Sequence, residues 1–418
     1  MPLQMTVKLI AQNAKSASHQ LSTLAASTRQ KAIAAMPEKL QAVKDELFAV
    51  NAQDVQAARS AGLDEPLVKR LEISDTVFQY MLSRLHKVAA LPDPLDRVLE
   101  GHVRPTGLRV QKISVPLGVI GIIYESRPNV TTDAASVCLK SGNAVILRGG
   151  SESLRTNIVL ADAMIQACRE NGVPEHAVQI IRVPGHEAVS ELLQMDQYIN
   201  VLIPRGGKGL IKRVAEGTRI PVIKHYEGIC HLYLAEDAPQ DMAINLSLNS
   251  KLQKVQVCNA LETLLVDEKC APRLLPKLAH AFAEKNTELR GCDRTRHIIP
   301  DIAPASDEDW VTEYLAPILS IKIVDGVQAA IEHINTYGSG HTDGIVTQTM
   351  QVAQQFVNGV DSASVLVNAS TRLSGGGDYG LGAVVGISTD KLHARGPVGP
   401  NDLTSYKWVA FGEGHLRI

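Results

Sequence analysis

From residue 116 onward, short apolar runs alternate with longer amphipathic runs, and this alternation constrains the fold more than any other feature of the sequence. The apolar runs predict strands at residues 117–124, 144–148, 177–183, 198–203 and 221–224. The amphipathic runs predict helices at residues 132–140, 154–171, 187–195 and 208–216. Strands that alternate with helices of this length form βαβ units, so a parallel sheet is expected. The same pattern recurs from about residue 228 to 390 and predicts a second α/β lobe.

The chain outside this pattern is predicted to be helical at first and to carry isolated strands elsewhere. Residues 5–92 show helical periodicity at 7–24, 41–62 and 74–91. Residues 98–114 have the pattern of a β-hairpin, and residues 405–411 that of a strand. Because pieces of this size are not stable alone, they should pair with each other or with another subunit.

Charge and cysteine content exclude several classes of protein. In 418 residues, 42 Lys and Arg stand against 44 Asp and Glu, so a net charge of −2 attracts neither nucleic acid nor an anionic membrane. No apolar run approaches the roughly 18–20 residues that span a bilayer, and no secretory signal is expected. The six cysteines show neither C-x-x-C pairs nor zinc-finger spacing, so free thiols in a reducing cytoplasm are expected.

Cys258 is the main candidate for a reactive side chain. It follows a helix-like run at 241–252 and precedes a strand-like run at 263–266. A thiol at such a junction can be presented to a pocket instead of being packed in a core. Its thiolate could attack a carbonyl carbon and hold the product as a thioester.

The other cysteines are weaker candidates. Cys230, next to a histidine, is the rival nucleophile, but its apolar neighbours predict a buried and inert thiol. Cys138 is expected in a core and Cys168 within a helix. Cys270 and Cys292 have charged neighbours, which predict exposure.

Two glycine-rich turns, Arg148-Gly-Gly-Ser151 and Arg205-Gly-Gly-Lys-Gly209, each follow a predicted strand and open a predicted helix. Such turns let the backbone approach a phosphate at a helix N-terminus, or they simply make a tight connection. Two of them in one lobe, each with a basic residue, make a nucleotide site as credible as the plain turn. Neither has the spacing of a P-loop or of G-x-G-x-x-G.

A polar segment, Glu125-Ser-Arg-Pro-Asn-Val-Thr131, follows the most apolar predicted strand. Ligands of open α/β sheets bind at the carboxyl ends of strands. Asn129 could direct its amide at a developing oxyanion, or Asn129 or Thr131 could cap the next helix.

Two further segments are rich in polar residues or glycine. His333 and His341 lie in one polar stretch, which could hold a metal or, as the more favoured interpretation, form a hydrogen-bonded loop. The stretch 374–382 has the highest glycine density and could wrap an anion or be a flexible loop.

Taken in order, these pieces resemble the aldehyde dehydrogenase superfamily over essentially the whole chain. The most specific segments are 124–131, 324–345 and 391–399. The resemblance is to the branch that reduces an acyl phosphate. It implies NADPH-dependent reduction of L-glutamate 5-phosphate to L-glutamate 5-semialdehyde and phosphate, the second step of proline biosynthesis from glutamate.

The resemblance also implies roles for individual residues. Cys258 corresponds to the nucleophile, Asn129 to the oxyanion-hole amide, and Glu313 to the acid that binds the nicotinamide ribose. Arg148 stands where many relatives have a lysine near the adenosine ribose, and Ser151 stands where NAD-preferring relatives carry a glutamate. A cation without a nearby carboxylate suits a 2′-phosphate, so NADPH is expected. Gly206 and Gly207 would face the pyrophosphate.

One departure from the family bears on the reaction. Hydrolysing relatives carry a glutamate that activates water, and His225 stands in its place here, with Glu227 two residues further on. A reductive enzyme needs no such base, because water would destroy its thioester. The anionic substrate requires basic or amide groups, for which Arg127, Gly376 and Arg395 are the candidates.

The resemblance predicts two parallel-sheet α/β lobes plus a small β oligomerisation hairpin. Residues 1–97 and 115–227 would bind NADP, 228–390 would carry the nucleophile, and 98–114 with 403–418 would join subunits. A homodimer or larger homo-oligomer is expected, with functional coupling to the glutamate kinase that makes the substrate. The alternatives are an NAD(P)-dependent aldehyde dehydrogenase that makes a carboxylate and a non-enzymatic nucleotide-binding protein.

Overall fold

The computed structural model describes residues 2–417, which fold into α/β structure with four sheets. The α-helices are α1 (Leu3–Leu21), α2 (Ala26–Ala42), α3 (Lys44–Ser60), α4 (Glu65–Leu71), α5 (Asp75–Ala90), α6 (Val130–Lys140), α7 (Leu154–Glu170), α8 (Glu187–Leu192), α9 (Lys208–Gly217), α10 (Gln240–Leu252), α11 (Ala271–Ala283), α12 (Asp293–Ile298), α13 (Gly326–Tyr337) and α14 (Met350–Gly359).

The strands are β1 (Val98–Val103), β2 (Arg109–Pro116), β3 (Val119–Tyr124), β4 (Ala144–Gly149), β5 (Val178–Ile180), β6 (Val201–Arg205), β7 (Cys230–Leu234), β8 (Leu261–Asp267), β9 (Glu288–Gly291), β10 (Ala303–Pro304), β11 (Ile318–Val324), β12 (Thr342–Val346), β13 (Ser364–Val367), β14 (Gly386–Ser388), β15 (Gly396–Val398) and β16 (Thr404–Phe411). Short 3₁₀ turns occupy Ser151–Ser153, Asp307–Val311, Thr371–Leu373 and Asn401–Leu403.

The chain divides into two compact units. The first comprises Met1–Lys224, Gly380–Ile387 and Leu392–Ile418. The second comprises His225–Tyr379 and Ser388–Lys391.

The first unit is built on a parallel sheet of order β5-β4-β3-β6. Strands β3 and β4 are buried along their whole length because helices cover both faces of the sheet, so they are nearly all apolar. The chain steps from β3 to one side and then returns to add β6 on the other side. The loops after β3 and β6 therefore leave a switch point, which is the usual ligand position in such sheets.

The second unit is built on a seven-stranded parallel sheet of order β10-β9-β11-β8-β7-β12-β13. Alternate residues of its strands serve two separate cores, because side chains on a strand point to opposite faces. Leu264 of β8 packs with α10 and α11, whereas Leu265 packs with α13 and α14. Two helical layers therefore hold the central strands β7 and β8 with both faces buried.

A three-stranded antiparallel sheet of order β1-β2-β16 also lies in the first unit. The predicted hairpin is present, and the predicted tail strand pairs with β2 from Thr404 opposite Pro116 to Phe411 opposite Arg109. The isolated strands thus find partners within the same chain. Both outer strands keep exposed apolar side chains, among them Val103 and Trp408.

The fold class predicted from the sequence is confirmed, with local differences. Residues 221–224 do not form a strand and make only the bridge Leu202–Val222. Pro221 lacks the N–H that a ladder requires, which accounts for this. The predicted helix at 41–62 is divided at Val43 into α2 and α3. Within residues 2–417, no helix is both long enough and apolar enough to cross a membrane.

Candidate active site

Three reactive side chains, His225, Cys258 and His341, come together in the second unit. They lie ahead of β7, β8 and β12, which are neighbours in the sheet. Since parallel strands begin at the same sheet edge, the loops before them converge. The Cys258 thiol and one ring nitrogen of each histidine all lie within 4.8 Å of one another, and the two rings are 5.3 Å apart.

Cys258 sits in the loop between α10 and β8 and is half-buried, as an accessible nucleophile must be. The rival thiol, Cys230, is fully buried on β7 and donates to the Cys258 carbonyl oxygen at 3.2 Å. Burial raises the pKa of Cys230 well above its usual value, and nearby Asp343 adds to this shift. Cys230 therefore supports the loop instead of competing as a nucleophile.

The remaining thiols are mostly buried. Burial raises the pKa of Cys138 on α6, and it raises that of Cys168 on α7 to about 12. The predicted exposure of Cys270 is wrong, because this residue is 2% exposed and its thiol donates to the Asp267 carbonyl at 3.4 Å. Cys292 is half-buried, 3.3 Å from the hydroxyl of Thr295.

His341 is neutral and has one defined tautomer. Burial lowers its pKa to about 4, against the opposing effects of Asp343 and Glu313. Its Nδ1 lies 2.8 Å from Thr342 Oγ1, which donates its own proton to Ser374 Oγ at 2.9 Å. Nδ1 therefore carries the hydrogen, and Nε2 carries the lone pair. Nε2 is buried and has no hydrogen-bond partner among residues 2–417.

The two candidates for the water-activating position, His225 and Glu227, have different neighbours in the segment ahead of β7. The His225 ring belongs to the cluster with Cys258. Glu227 instead acts electrostatically on Glu313, whose carboxylate accepts a 3.0 Å hydrogen bond from the Gly228 amide. Burial raises the pKa of Glu313, and Glu227 raises it further. His225 is thus the residue beside the thiol.

Arg372 is a cation close to Cys258. Its guanidinium hydrogen-bonds to Asn259 and, at 2.9 Å, to Gln253. Burial lowers the pKa of Arg372, and Cys258 and Asp378 act in the opposite direction. A positive charge there favours a thiolate and a transferring phosphate.

A buried ion pair underlies the same loop. Lys251 of α10 and Glu262 of β8 lie 2.5 Å apart, and both side chains have no exposed surface. Burial raises the pKa of Glu262 to about 7 although Lys251 opposes the shift, and burial lowers the pKa of Lys251. The pair ties the helix before Cys258 to the strand after it.

Asn129 lies in the first unit, at the carboxyl end of β3, where it begins α6. Its side chain does not cap the helix; it hydrogen-bonds to Asp133, which also pairs with Arg84 at 2.7 Å. Thr131 does not cap the helix either, since its hydroxyl is 2.7 Å from the Tyr124 hydroxyl. In the same loop Ser126 has a φ of +46°, a strained value of the kind that accumulates at functional sites.

Arg148 is the penultimate residue of β4, and Ser151 opens the turn that follows. The Arg148 side chain is buried and donates to the Gly149 carbonyl and, at 2.6 Å, to the Gly185 carbonyl. The expectation that no carboxylate lies near Arg148 is wrong, because Glu152 acts on it electrostatically. That carboxylate is held by the Ser126 amide at 2.7 Å.

Gly206 and Gly207 join β6 to α9 at the switch point. The Gly207 amide donates to the Glu125 carboxylate at 3.2 Å, and the Glu125 amide donates to the Arg205 carbonyl at 3.0 Å. A Cβ on Gly206 would fall 2.3 Å from Glu125 Oε2. A backbone amide of this turn therefore already binds an anionic group, the Glu125 carboxylate.

The predicted substrate residues fall in separate loops. Arg127 lies after β3 and is half-buried, buried Gly376 lies in a turn of the second unit, and half-buried Arg395 precedes β15 in the first unit. His333 has different neighbours from His341. It lies on α13, and its ring packs against His231, Trp310 and Tyr337. The hypothesis of one metal site containing both His333 and His341 is therefore not supported by their separate surroundings.

No pattern in the sequence indicates that His341 or Arg372 lies beside Cys258. His341 was visible only as part of a polar segment, and Arg372 only as a basic residue ahead of the glycine-rich stretch. Both approach the thiol through the pairing order of the sheet, which has no local signal.

Comparison with known proteins places this fold in one family. The aldehyde dehydrogenase family matches residues 3–300, and the chain belongs to that family. A γ-glutamyl phosphate reductase from Thermotoga maritima is 42% identical, covers 99% of this chain and 100% of its own, and superposes with a TM-score of 0.96. One from Saccharomyces cerevisiae is 31% identical over 98% of both chains, with a TM-score of 0.54.

An acetylating aldehyde dehydrogenase from Geobacillus thermoglucosidasius shares the fold. It is 19% identical, covers 100% of this chain and 98% of its own, and has a TM-score of 0.70. The family resemblance seen in the sequence is thus confirmed.

Proposed function

We propose that this chain is a γ-glutamyl phosphate reductase, which converts L-glutamate 5-phosphate to L-glutamate 5-semialdehyde and phosphate in proline biosynthesis. The 42% identity with the Thermotoga maritima γ-glutamyl phosphate reductase over the full length carries this proposal. The half-buried thiol of Cys258, beside a histidine instead of a water-activating glutamate, supports it.

In this proposal, Cys258 is the nucleophile. Its thiolate attacks the acyl phosphate carbonyl, an S–C bond forms, and phosphate leaves with the C–O bonding electrons. Reduction of the resulting thioester gives a thiohemiacetal, which releases the aldehyde and restores the thiolate. Nε2 of His341 carries a lone pair that can take the thiol proton, and Arg372 supplies positive charge.

The oxyanion would be stabilised by the Asn129 amide and the backbone N–H of Cys258. A single donor of this type is worth about 3–4 kcal/mol of transition-state stabilisation. Asn129 would exchange its hydrogen bond to Asp133 for the substrate oxygen.

The nicotinamide cofactor of this family would be NADPH, which supplies the hydride. Arg148 and Ser151 would face the adenosine ribose, the Gly206–Gly207 turn the pyrophosphate, and Glu313 the nicotinamide ribose. The Gly207 amide already holds the Glu125 carboxylate, so the turn suits a phosphate. The Nε of buried Arg148 lacks a partner among the described residues, so this cation has unused donor capacity.

The doubly anionic substrate would be bound by Arg127, Gly376 and Arg395. The first unit would hold the cofactor and the second would hold the nucleophile.

The sheet β1-β2-β16 would join subunits into a homodimer or larger homo-oligomer, since its outer strands expose Val103 and Trp408. Light scattering of Trp408→Ser, compared with the exposed-surface control Met350→Ser, tests this role.

Six free thiols are consistent with a reducing cytoplasm. The reactivity of acyl phosphates makes functional coupling to the glutamate kinase that forms the substrate reasonable.

The decisive experiment is NADP⁺ reduction with glutamate 5-semialdehyde, with and without inorganic phosphate, on wild type and Cys258→Ala. We expect wild type to reduce NADP⁺ only when phosphate is present. This activity should be lost in Cys258→Ala and kept in Cys292→Ala. Equal rates without phosphate would instead identify a hydrolytic aldehyde dehydrogenase, and no activity in wild type would contradict both. The same assay with NAD⁺ tests the cofactor choice.

A further inference from the structure

His341 has the features of a preorganised metal ligand. The residue is 1% exposed, and its Nε2 lone pair has no partner among residues 2–417. Its other nitrogen donates to Thr342, whose hydroxyl is held in turn by Ser374. Histidines that bind metals usually donate the second ring N–H to an outer partner in this way, which fixes ring and tautomer.

Two more donors lie close to the His341 ring. The Cys258 thiol and a ring nitrogen of His225 complete a set whose members all lie within 4.8 Å of one another. Bond lengths of about 2.3 Å to sulfur and 2.0–2.1 Å to nitrogen place tetrahedral zinc ligands roughly 3.4–3.6 Å apart. Cys258 and His225 are both half-buried, so their side chains can close the remaining gap onto the fixed ring of His341.

The surrounding charge favours a cation. The carboxylates of Asp343 and Glu313 both act electrostatically on the His341 ring. Arg372, which acts electrostatically on Cys258, opposes this effect. One thiolate and two imidazoles are soft or borderline ligands, which select Zn²⁺ over Mg²⁺ or Ca²⁺.

We propose that His225, Cys258 and His341 form an inhibitory Zn²⁺ site, which switches the enzyme off by coordinating its nucleophile. Only the inhibitory effect rests on the proposed function, because a coordinated thiolate cannot attack the acyl phosphate. Coordination itself requires neither substrate nor cofactor.

Cobalt titration of the whole chain, without substrate or NADPH, tests the site directly. Thiolate coordination produces a near-ultraviolet charge-transfer band, which we expect in wild type and in Cys292→Ala but not in Cys258→Ala. Zn²⁺ should displace Co²⁺ and abolish the band, and Mg²⁺ should not. Thr342→Val should weaken Zn²⁺ binding by roughly 10–100-fold, and His225→Ala and His341→Ala should weaken it more.

Several results would overturn the proposal. One is the lack of a band in folded wild type, and another is a band that survives in Cys258→Ala. Zn²⁺ affinity unchanged in His225→Ala, with the exposed residue His280→Ala as control, would also reject it. His225 is half-buried, so its variant keeps the test valid even if His341→Ala does not fold. A band without reductase activity would reject the function alone, and activity without a band would reject the site alone.

Discussion

The α-carbon of Gly228 lies against the backbone of Cys258, so closely that a Cβ on Gly228 would fall 1.7 Å from the Cys258 carbonyl oxygen. The Gly228 amide also donates to Glu313. Gly228, which has no side chain, therefore allows the Cys258 loop to pack against its backbone. Its amide also positions Glu313, the acid proposed to bind the cofactor.

Gly228→Ala should displace the Cys258 loop, because the clash is with backbone atoms that no rotamer change relieves. A displacement of about 1 Å at a reacting atom lowers turnover by roughly 100-fold, which steady-state kinetics would detect. Gly101→Ala on β1 is the matched control, since its Cβ would meet neighbours at 3.7 Å. Equal activity of the two variants would contradict this role.

His225→Glu should convert the enzyme toward hydrolysis. His225 lies beside the thiol, where a carboxylate can activate water against the thioester. We expect phosphate-independent NADP⁺ reduction with glutamate 5-semialdehyde, and a fall in the phosphate-dependent rate. His225→Gln, which has no base, should not gain the new reaction. If neither variant acquires it, His225 does not occupy the water-activating position.

Arg372→Met should make Cys258 less reactive. Removal of a cation that acts on the thiol disfavours the thiolate, so the rate of Cys258 alkylation by iodoacetamide at a fixed pH should fall. Arg372→Lys should preserve most of the charge effect. Gln253→Ala removes a hydrogen-bond partner of Arg372 while leaving the charge. If Gln253→Ala slowed alkylation as much as Arg372→Met does, the effect would come from disorder of the loop and not from the lost charge.

His333 should make the second unit sensitive to acid. Burial, together with His231 and Lys322, lowers its pKa to about 3, from 6.5 in the unfolded chain. Between those pH values the unfolded chain binds a proton that the folded chain does not, so stability falls as the pH decreases. The free energy of unfolding should drop by about 2 kcal/mol between pH 7 and pH 5 from this residue.

Urea unfolding at each pH, followed by the fluorescence of Trp310 in a Trp408→Phe background, measures this change close to His333 because the two rings are 5.6 Å apart. His333→Phe should remove this part of the pH dependence. His280→Ala, at an exposed position, should retain it. Parallel pH profiles for wild type and His333→Phe would show that His333 does not titrate in this range.

Local patterns predicted much of this protein. Alternation of apolar and amphipathic runs specified two parallel-sheet lobes, and Cys258 was placed between a helix and a strand where the structure has them. The burial of Cys230 followed from its apolar neighbours. The strand predicted at residues 221–224 is absent because Pro221 cannot donate to a ladder. The predicted exposure of Cys270 is wrong because charged neighbours in the sequence are not neighbours in space.

The sequence by itself determined most of the elements and the fold class and singled out Cys258 as the candidate nucleophile, because periodicity and composition are properties of neighbouring residues. Tertiary structure alone decided that His225 and His341 meet at Cys258, that Gly228 supports its loop, and that His333 belongs to a different cluster. These relationships depend on the strand order β8-β7-β12, which is set by pairing between segments far apart in the chain. No local pattern encodes that order, so the chemistry at the sheet edge emerges only when the strands are side by side.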